Sequence, residues 1–227
     1  VAFFMLATAA DAGPAWREIG EYNDNPLPAP GFKKGCEGKT PDKATCKAIA
    51  HLTGFQTQFG SHKNKYVVDH RGKITAVTLR LGNPTKDQLK FFNTNFGSPT
   101  IRLSVLKKPK HDVRHHTDLR LVSQSETIDV SKYLGSKRVT FVLANSVVVP
   151  AHSTIAITVP TWAPIFTINR PKDETWRAST PKGKCGDATT QSAHQAVGSV
   201  KFYDCFFKSA RLLYQATFLR DPRQTKK

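Results

Sequence analysis

Acidic side chains are scarce: 17 Asp and Glu stand against 34 Lys and Arg in 227 residues, leaving a formal charge of +17. A field of that sign attracts polyanions over a Debye length of about 8 Å at physiological salt, whether teichoic acid, anionic lipid, nucleic acid or acidic polysaccharide, and selects none of them. No apolar run approaches the ~18 residues that would cross a bilayer as a helix, so no transmembrane segment is expected. The chain also has no Gly-x-Ser-x-Gly elbow, His-Glu-x-x-His pair, Walker A loop or Gly-x-Gly-x-x-Gly turn. An Asp-x-Asp-x-Asp-Gly calcium loop is missing, and the four cysteines lack the Cys-x-x-Cys spacing of zinc ribbons and thioredoxin-like sites. No metal site, no cofactor and no catalytic residue is therefore nominated. The string "KFYDCFFKSARLLY" has aromatics and cations without the Lys/Arg-Gly-aromatic run of an RNA-binding sheet, so no specific nucleic acid is expected either. With so few acids, the carboxylate pairs conceivable for glycoside hydrolysis, Asp173 with Glu174 and Glu126 with Asp129, fall where loops and strand ends normally carry solvated charge.

What is present is enough to fold. Apolar residues make up 39% of the chain and fourteen are Phe, which argues against disorder, and the length suffices to bury a core without staples. "VAFFMLATAADAGPAW" begins as an apolar run and passes into small residues, with Ala7-Thr8-Ala9 and Ala10-Asp11-Ala12 both acceptable to a signal peptidase. Residues 1–12 read as the remnant of a signal peptide, and export follows. The cysteines agree with an oxidising compartment: local pairing of Cys36 with Cys46 and of Cys185 with Cys205 is the expected connectivity among three.

Residues 13–50 read as an irregular N-terminal arm, rich in Pro and Gly and without a period of 2 or 3.6, with a short helix conceivable near residues 44–50. From residue 51 to 220 the pattern is that of strands. "TGFQTQF" sets Phe55, Thr57 and Phe59 against Gln56 and Gln58; "ITAVTLRL" sets Val77, Leu79 and Leu81 against Thr78 and Arg80; "TIRLSVLKK" sets Ile101, Leu103 and Val105 against Arg102 and Ser104. "RVTFVLA", "HSTIAITVP", "VGSVKFYDCFF" and "ARLLYQATF" continue the series. About eight strands with no interleaved long helices make an all-β protein, an antiparallel β-sandwich with one short helix. That helix is "PTKDQLKFFNTNFG": Thr85 as N-cap, Gln88 three residues on, Leu89, Phe92 and Phe96 on one face, and Gly97 as the stop. Residues 221–227 form a basic tail.

"KPKHDVRHHTDLR", residues 108–120, packs three His, two Asp and four Lys or Arg into thirteen positions. It lies between two strands, and adjacent His115 and His116 point apart on an extended chain, so it reads as a solvated loop with no metal site. The more specific string is "TVPTWAPIF", in which two prolines flank Thr161-Trp162-Ala163. The strand is expected to end there and hold Trp162 at a sheet rim, where an indole stacks on a pyranose or covers the end of the core.

At these strings the chain resembles a group of uncharacterised secreted proteins of high-GC Gram-positive (actinobacterial) type carrying a TVPTWAP motif. The resemblance rests on "RGKITAVTLRL", "IRLSVLKK", "VVVPAHSTIAITVPTWAPIF", "WRASTPKGKC", "TTQSAHQAVGSVKFYDCFF" and "ARLLYQATF", about two-thirds of the chain. It implies a jelly-roll-like sandwich made for export and implies no activity. Where that group leads one to expect a glycine-plus-acid turn, this chain has Ala151-His152-Ser153. The combined expectation is a secreted or cell-envelope protein that binds an extracellular polysaccharide or anionic cell-wall polymer without catalysis, with Trp162, Trp176, Arg170 and Asn169 as contacts. A structural or adhesion protein of the envelope without a small ligand and a secreted hydrolase are the readings from other classes.

Overall fold

A computed structural model describes residues 16–20, 27, 48–110, 117–180, 183–185 and 191–222. It is an antiparallel β-sandwich. The small sheet runs in the order β1 (Trp16–Ile19), β16 (Tyr214–Arg220), β5 (Gly72–Leu79), β9 (Val139–Val149). The large sheet runs β13 (Val200–Phe202), β7 (Asp118–Gln124), β6 (Thr100–Lys107), β10 (Ser153–Ala163), β2 (Ile49–Phe59), β12 (Thr175–Ala178), β14 (Cys205–Lys208). Short strands β3 (His62–Lys63), β4 (Val67–Val68) and β8 (Ile128–Asp129) attach to it, and β11 (Phe166–Ile168) pairs with β15 (Ala210–Leu212) as a separate ribbon. Because β5, β6, β9 and β10 alternate between the sheets, the winding is jelly-roll-like.

Alternation explains the core. Ile101, Leu103 and Val105 of β6, Ile155, Ile157 and Val159 of β10, and Val77, Leu79 and Leu81 at β5 all face the interior, where they meet Leu143, Tyr214 and Phe218. In β2 the expected parity breaks. A register shift against β12 falls between Thr175 and Trp176, and Gln56 turns inward while Phe59 also stays in the core. Gln56 is tolerated there because it serves the backbone of the neighbouring ribbon: its Nε2 donates to Ala210 O at 3.2 Å and its Oε1 accepts from Leu212 N at 3.1 Å.

The expected helix is present as α1 (Lys86–Phe96). Its capping box is complete: Gln88 N donates to Thr85 Oγ1 at 3.3 Å and Thr85 N donates to Gln88 Oε1 at 2.8 Å. Gly97, at φ 81°, stops it. Phe92 and Leu89 pack on Trp162 and Ala50, so the helix covers one end of the large sheet.

Three expectations need correction. Trp16–Ile19, read as part of an irregular arm, is strand β1, with Trp16 paired to Leu219 and Ile19 to Ala216; four residues are too few to show a period, and pairing with β16 supplies the order. Ile49 and Ala50, at the end of the conceivable helix, already belong to β2. The strand expected to stop at Pro160 runs through to Ala163, because Pro160 and Thr161 fall in a register shift between Val159 and Trp162, where a missing N–H removes no ladder bond. At the β9–β10 turn, His152 takes the left-handed conformation, φ 58°, that a glycine would adopt without strain. The Cys185–Cys205 disulfide is formed, with a Cα–Cα separation of 5.3 Å. Cys36, Cys46, the segment 1–12, residues 44–47 and the histidines of residues 111–116 lie outside the described residues. Strand β6 ends at Lys107 and β7 begins at Asp118, on either side of these residues.

Candidate functional site

The four residues nominated as glycan contacts are not brought together. Trp162 is fully buried: Phe92 stacks on it with centroids 4.6 Å apart, and its Nε1 donates to Gly97 O at 2.8 Å and to Asn93 Oδ1 at 3.3 Å. Such an indole has no face free for a sugar; it covers the end of the core and docks α1. Trp176 is buried as well, stacked on Phe207 at 4.4 Å and edge-on to Phe166 at 5.4 Å. Gly54 makes room for it, since a Cβ there would stand 2.9 Å from Trp176 Cζ3. The two indoles pair with opposite parts of β2, Trp162 with Ala50 and Trp176 with Gln56, which puts them about 20 Å apart along the strand. Arg170 spends its guanidinium on a bidentate pair with Glu174, at 2.7 and 3.0 Å, and the carboxylate raises its pKa in return. Asn169 is exposed in a left-handed turn at φ 59°.

Strand parity puts a different set of side chains in solvent. On β12, Trp176 faces the core and Arg177 faces outward; on β14, Cys205 and Phe207 face the core and Phe206 and Lys208 face outward. Phe206 lies directly opposite Arg177, and Arg177 directly opposite Phe55 of β2, so the three form one row across the outer face of the large sheet. The Arg177 guanidinium sits 5.0 Å from the Phe206 ring centroid, a cation–π contact, and its Nη1 donates to Tyr203 O at 3.0 Å. Phe206 is 44% exposed, so nearly half of the residue meets solvent beside the Arg177 contact. Phe55 and Tyr203 pack beside the row at 5.6 Å. The disulfide fixes the start of β14 at Cys205, one residue before the exposed ring. Asp204, the acid nearest in sequence, accepts from the Thr117 hydroxyl. Neither Arg177 nor Lys208 has an ion-pair partner among the described residues, in which two ion pairs form, Arg170–Glu174 and Arg71–Asp221.

Next to this row, residues 191–199 and the Tyr203 side chain cover the outer face of the large sheet over a bed of hydroxyls. Thr158 Oγ1 shares hydrogen bonds with Thr53 Oγ1 at 2.8 Å and Ser104 Oγ at 2.6 Å, and Gln124 Nε2 donates to Ser104 Oγ at 2.7 Å and to His194 O at 3.1 Å. His194 N closes the group on Thr53 Oγ1 at 2.9 Å. The imidazole is buried, and desolvation, helped by the nearby Lys201 charge and opposed by the bond to Ser199, lowers its pKa from 6.5 to about 4. Nε2 lies 2.9 Å from Ser199 Oγ and Nδ1 lies 3.0 Å from Tyr203 OH, an outline that resembles a nucleophile with its base. The tautomer decides otherwise. Nε2 also lies 3.2 Å from the Ser199 carbonyl, which only accepts, so the proton belongs on Nε2. Nδ1 then accepts from Tyr203, and Ser199 donates to Ala196 O at 2.6 Å. The chain of donors fastens the cover to the sheet and activates no hydroxyl.

Sequence reasoning weighed the aromatics of "KFYDCFFK" without naming Phe206 or Arg177, whose outward placement depends on which faces of the sheet Cys205 and Trp176 take. His194 had no local signal; its role depends on which sheet face residues 191–199 cover. Among the described residues no group of three His, Cys, Asp or Glu is placed to hold a metal ion. No family model, no curated protein and no solved structure matches this chain.

Proposed function

We propose that the protein is an extracellular binding protein for an anionic polysaccharide or cell-wall polymer, engaged at the Phe55–Arg177–Phe206 row with Lys208 beside it. The observation that carries the reading is the Arg177 guanidinium 5.0 Å over an edge-strand phenylalanine that remains exposed. The exposed part of Phe206 offers an apolar platform to a sugar ring. Arg177 and Lys208, without an ion-pair partner among the described residues, offer cations to the carboxylate, sulfate or phosphate that such a polymer carries at short intervals. The charge of +17 raises the encounter rate with any polyanion, and the platform supplies what charge alone lacks, a reason to prefer a polymer with ring faces. The Cys185–Cys205 disulfide supports an oxidising, extracellular setting.

Retention of the oxidised protein on peptidoglycan, cellulose, chitin and heparin beads tests this at low and at ~0.5 M salt, where screening leaves an interaction range of only a few Å. Retention on an anionic polysaccharide that weakens but survives at high salt, and that Phe206→Ala reduces, is the expected result. Binding that vanishes at high salt and ignores Phe206→Ala would leave net charge as its whole explanation and overturn the site.

A further inference from the structure

We propose that the outer face of the four-stranded sheet, on the side of the sandwich away from the polymer platform, docks on an anionic lipid bilayer. Four of the large apolar side chains that the protein exposes share this face: Trp16 at 58%, Leu219 at 42%, Val148 at 51% and Val142 at 81% exposure. Their registers place them together. Trp16 pairs with Leu219, Leu219 with Lys73 and Lys73 with Val148, which makes one straight row across all four strands. The next outward row is Glu18, Thr217, Ala76 and Val142. Thr75 is an extra residue against β16, and on β9 the four residues 143–146 lie between the partners of Ile74 and Ala76, so Ala76 keeps this row while Ile74 and Val77 face the core.

The charges on the face point to the occupant. Lys73 stands exposed in the middle of the apolar row with no ion-pair partner among the described residues. Arg220, the next residue of β16, belongs to the inward row with Gly72 and Val149, so the cation within the apolar row is Lys73 alone. Of the described acids at this face, Glu18 accepts from Thr217 Oγ1 at 2.6 Å and Asp221, at its edge, is paired with Arg71 at 3.9 Å. Apolar side chains around a central lysine suit the headgroup boundary of an anionic bilayer: Trp and aliphatic groups enter the interface, and the lysine stem lies along them with its ammonium at the phosphates. A second copy of the chain fits less well. Three inter-strand spacings by one two-residue step cover on the order of 250 Å² with side-chain margins, against roughly 800 Å² per partner in a stable protein interface. Two copies would also bring like charges of +17 together.

The test is co-sedimentation of the oxidised protein with phosphatidylcholine vesicles and with vesicles that also contain phosphatidylglycerol, read together with tryptophan emission. Trp162 and Trp176 are buried, so a blue shift on vesicle binding reports Trp16. The expected result is binding to the anionic vesicles with a blue shift, weakened about tenfold or more by the double variant Trp16→Ser, Leu219→Ser and left unchanged by Phe206→Ala. Val148→Ser, on a different strand, makes the same test if the double variant does not fold. Three results would overturn the proposal: no binding to the anionic vesicles, binding without a blue shift that these variants leave intact, or a lipid-independent dimer that they dissolve. None of the three touches the polymer platform, whose assay reads a different face.

Discussion

Trp176 and Arg177 are neighbours in sequence and face opposite sides of the large sheet: the indole stacks on Phe207 at 4.4 Å in the core, and the guanidinium lies 5.0 Å over Phe206 in solvent. The pair therefore separates stability from binding. Trp176→Ala should cost about 3–5 kcal/mol of unfolding free energy through loss of buried area and the cavity left behind. Arg177→Gln and Phe206→Ala should stay within about 1 kcal/mol of the parent in urea melts while weakening retention on anionic polysaccharide several-fold. Equal destabilisation by all three would mean that the row is part of the core.

His194 makes stability depend on pH with a definite sign. Its pKa is about 4 folded and 6.5 when free, so between those values the unfolded chain binds a proton that the folded chain does not. Stability from this group is complete above pH 6.5, falls as the pH drops towards 4 and is flat below. Urea midpoints across that range, compared with those of His194→Phe, isolate the contribution. The variant should be less stable at pH 7, because Tyr203 and Ser199 lose their partner, and should show the shallower decline.

The Cys185–Cys205 bond closes a loop of 20 residues, which on chain-entropy grounds stabilises the fold by about 3 kcal/mol. Because Phe206 adjoins Cys205 on an edge strand, reduction should also loosen the platform. Treatment with a thiol reductant is expected to lower the thermal midpoint and polysaccharide retention together. Loss of the midpoint alone would show that pairing with β12 is enough to hold the ring in place.

Helix α1 is fastened at both ends by specific bonds. Thr85→Ala removes the capping hydroxyl and should cost about 1 kcal/mol. Trp162→Phe keeps the stack on Phe92 and removes the Nε1 donor to Gly97 O, a loss of about 1–3 kcal/mol for the unsatisfied carbonyl. Neither change is expected to alter retention on polysaccharide, since no residue of the platform touches α1.

Short-range chemistry is legible in the residues themselves. The Thr85–Gln88 box and Gly97 bound a helix whatever surrounds it, alternating Ile101, Leu103 and Val105 make a strand that turns one face to the core, and two late cysteines at a suitable spacing form a bond. These add up to an all-β sandwich with one helix. Only the assembled sheets set the parity of β12 and β14: each strand is four residues long, and alternation over so few positions cannot say which face is which. Trp176 went inward for that reason, and Arg177 and Phe206 outward. Register shifts settled the remainder: one lets Pro160 sit inside a central strand, and another lets Gln56 and Phe59 both face the core. A bulge is a property of two strands held together, and neither strand's residues carry its signal.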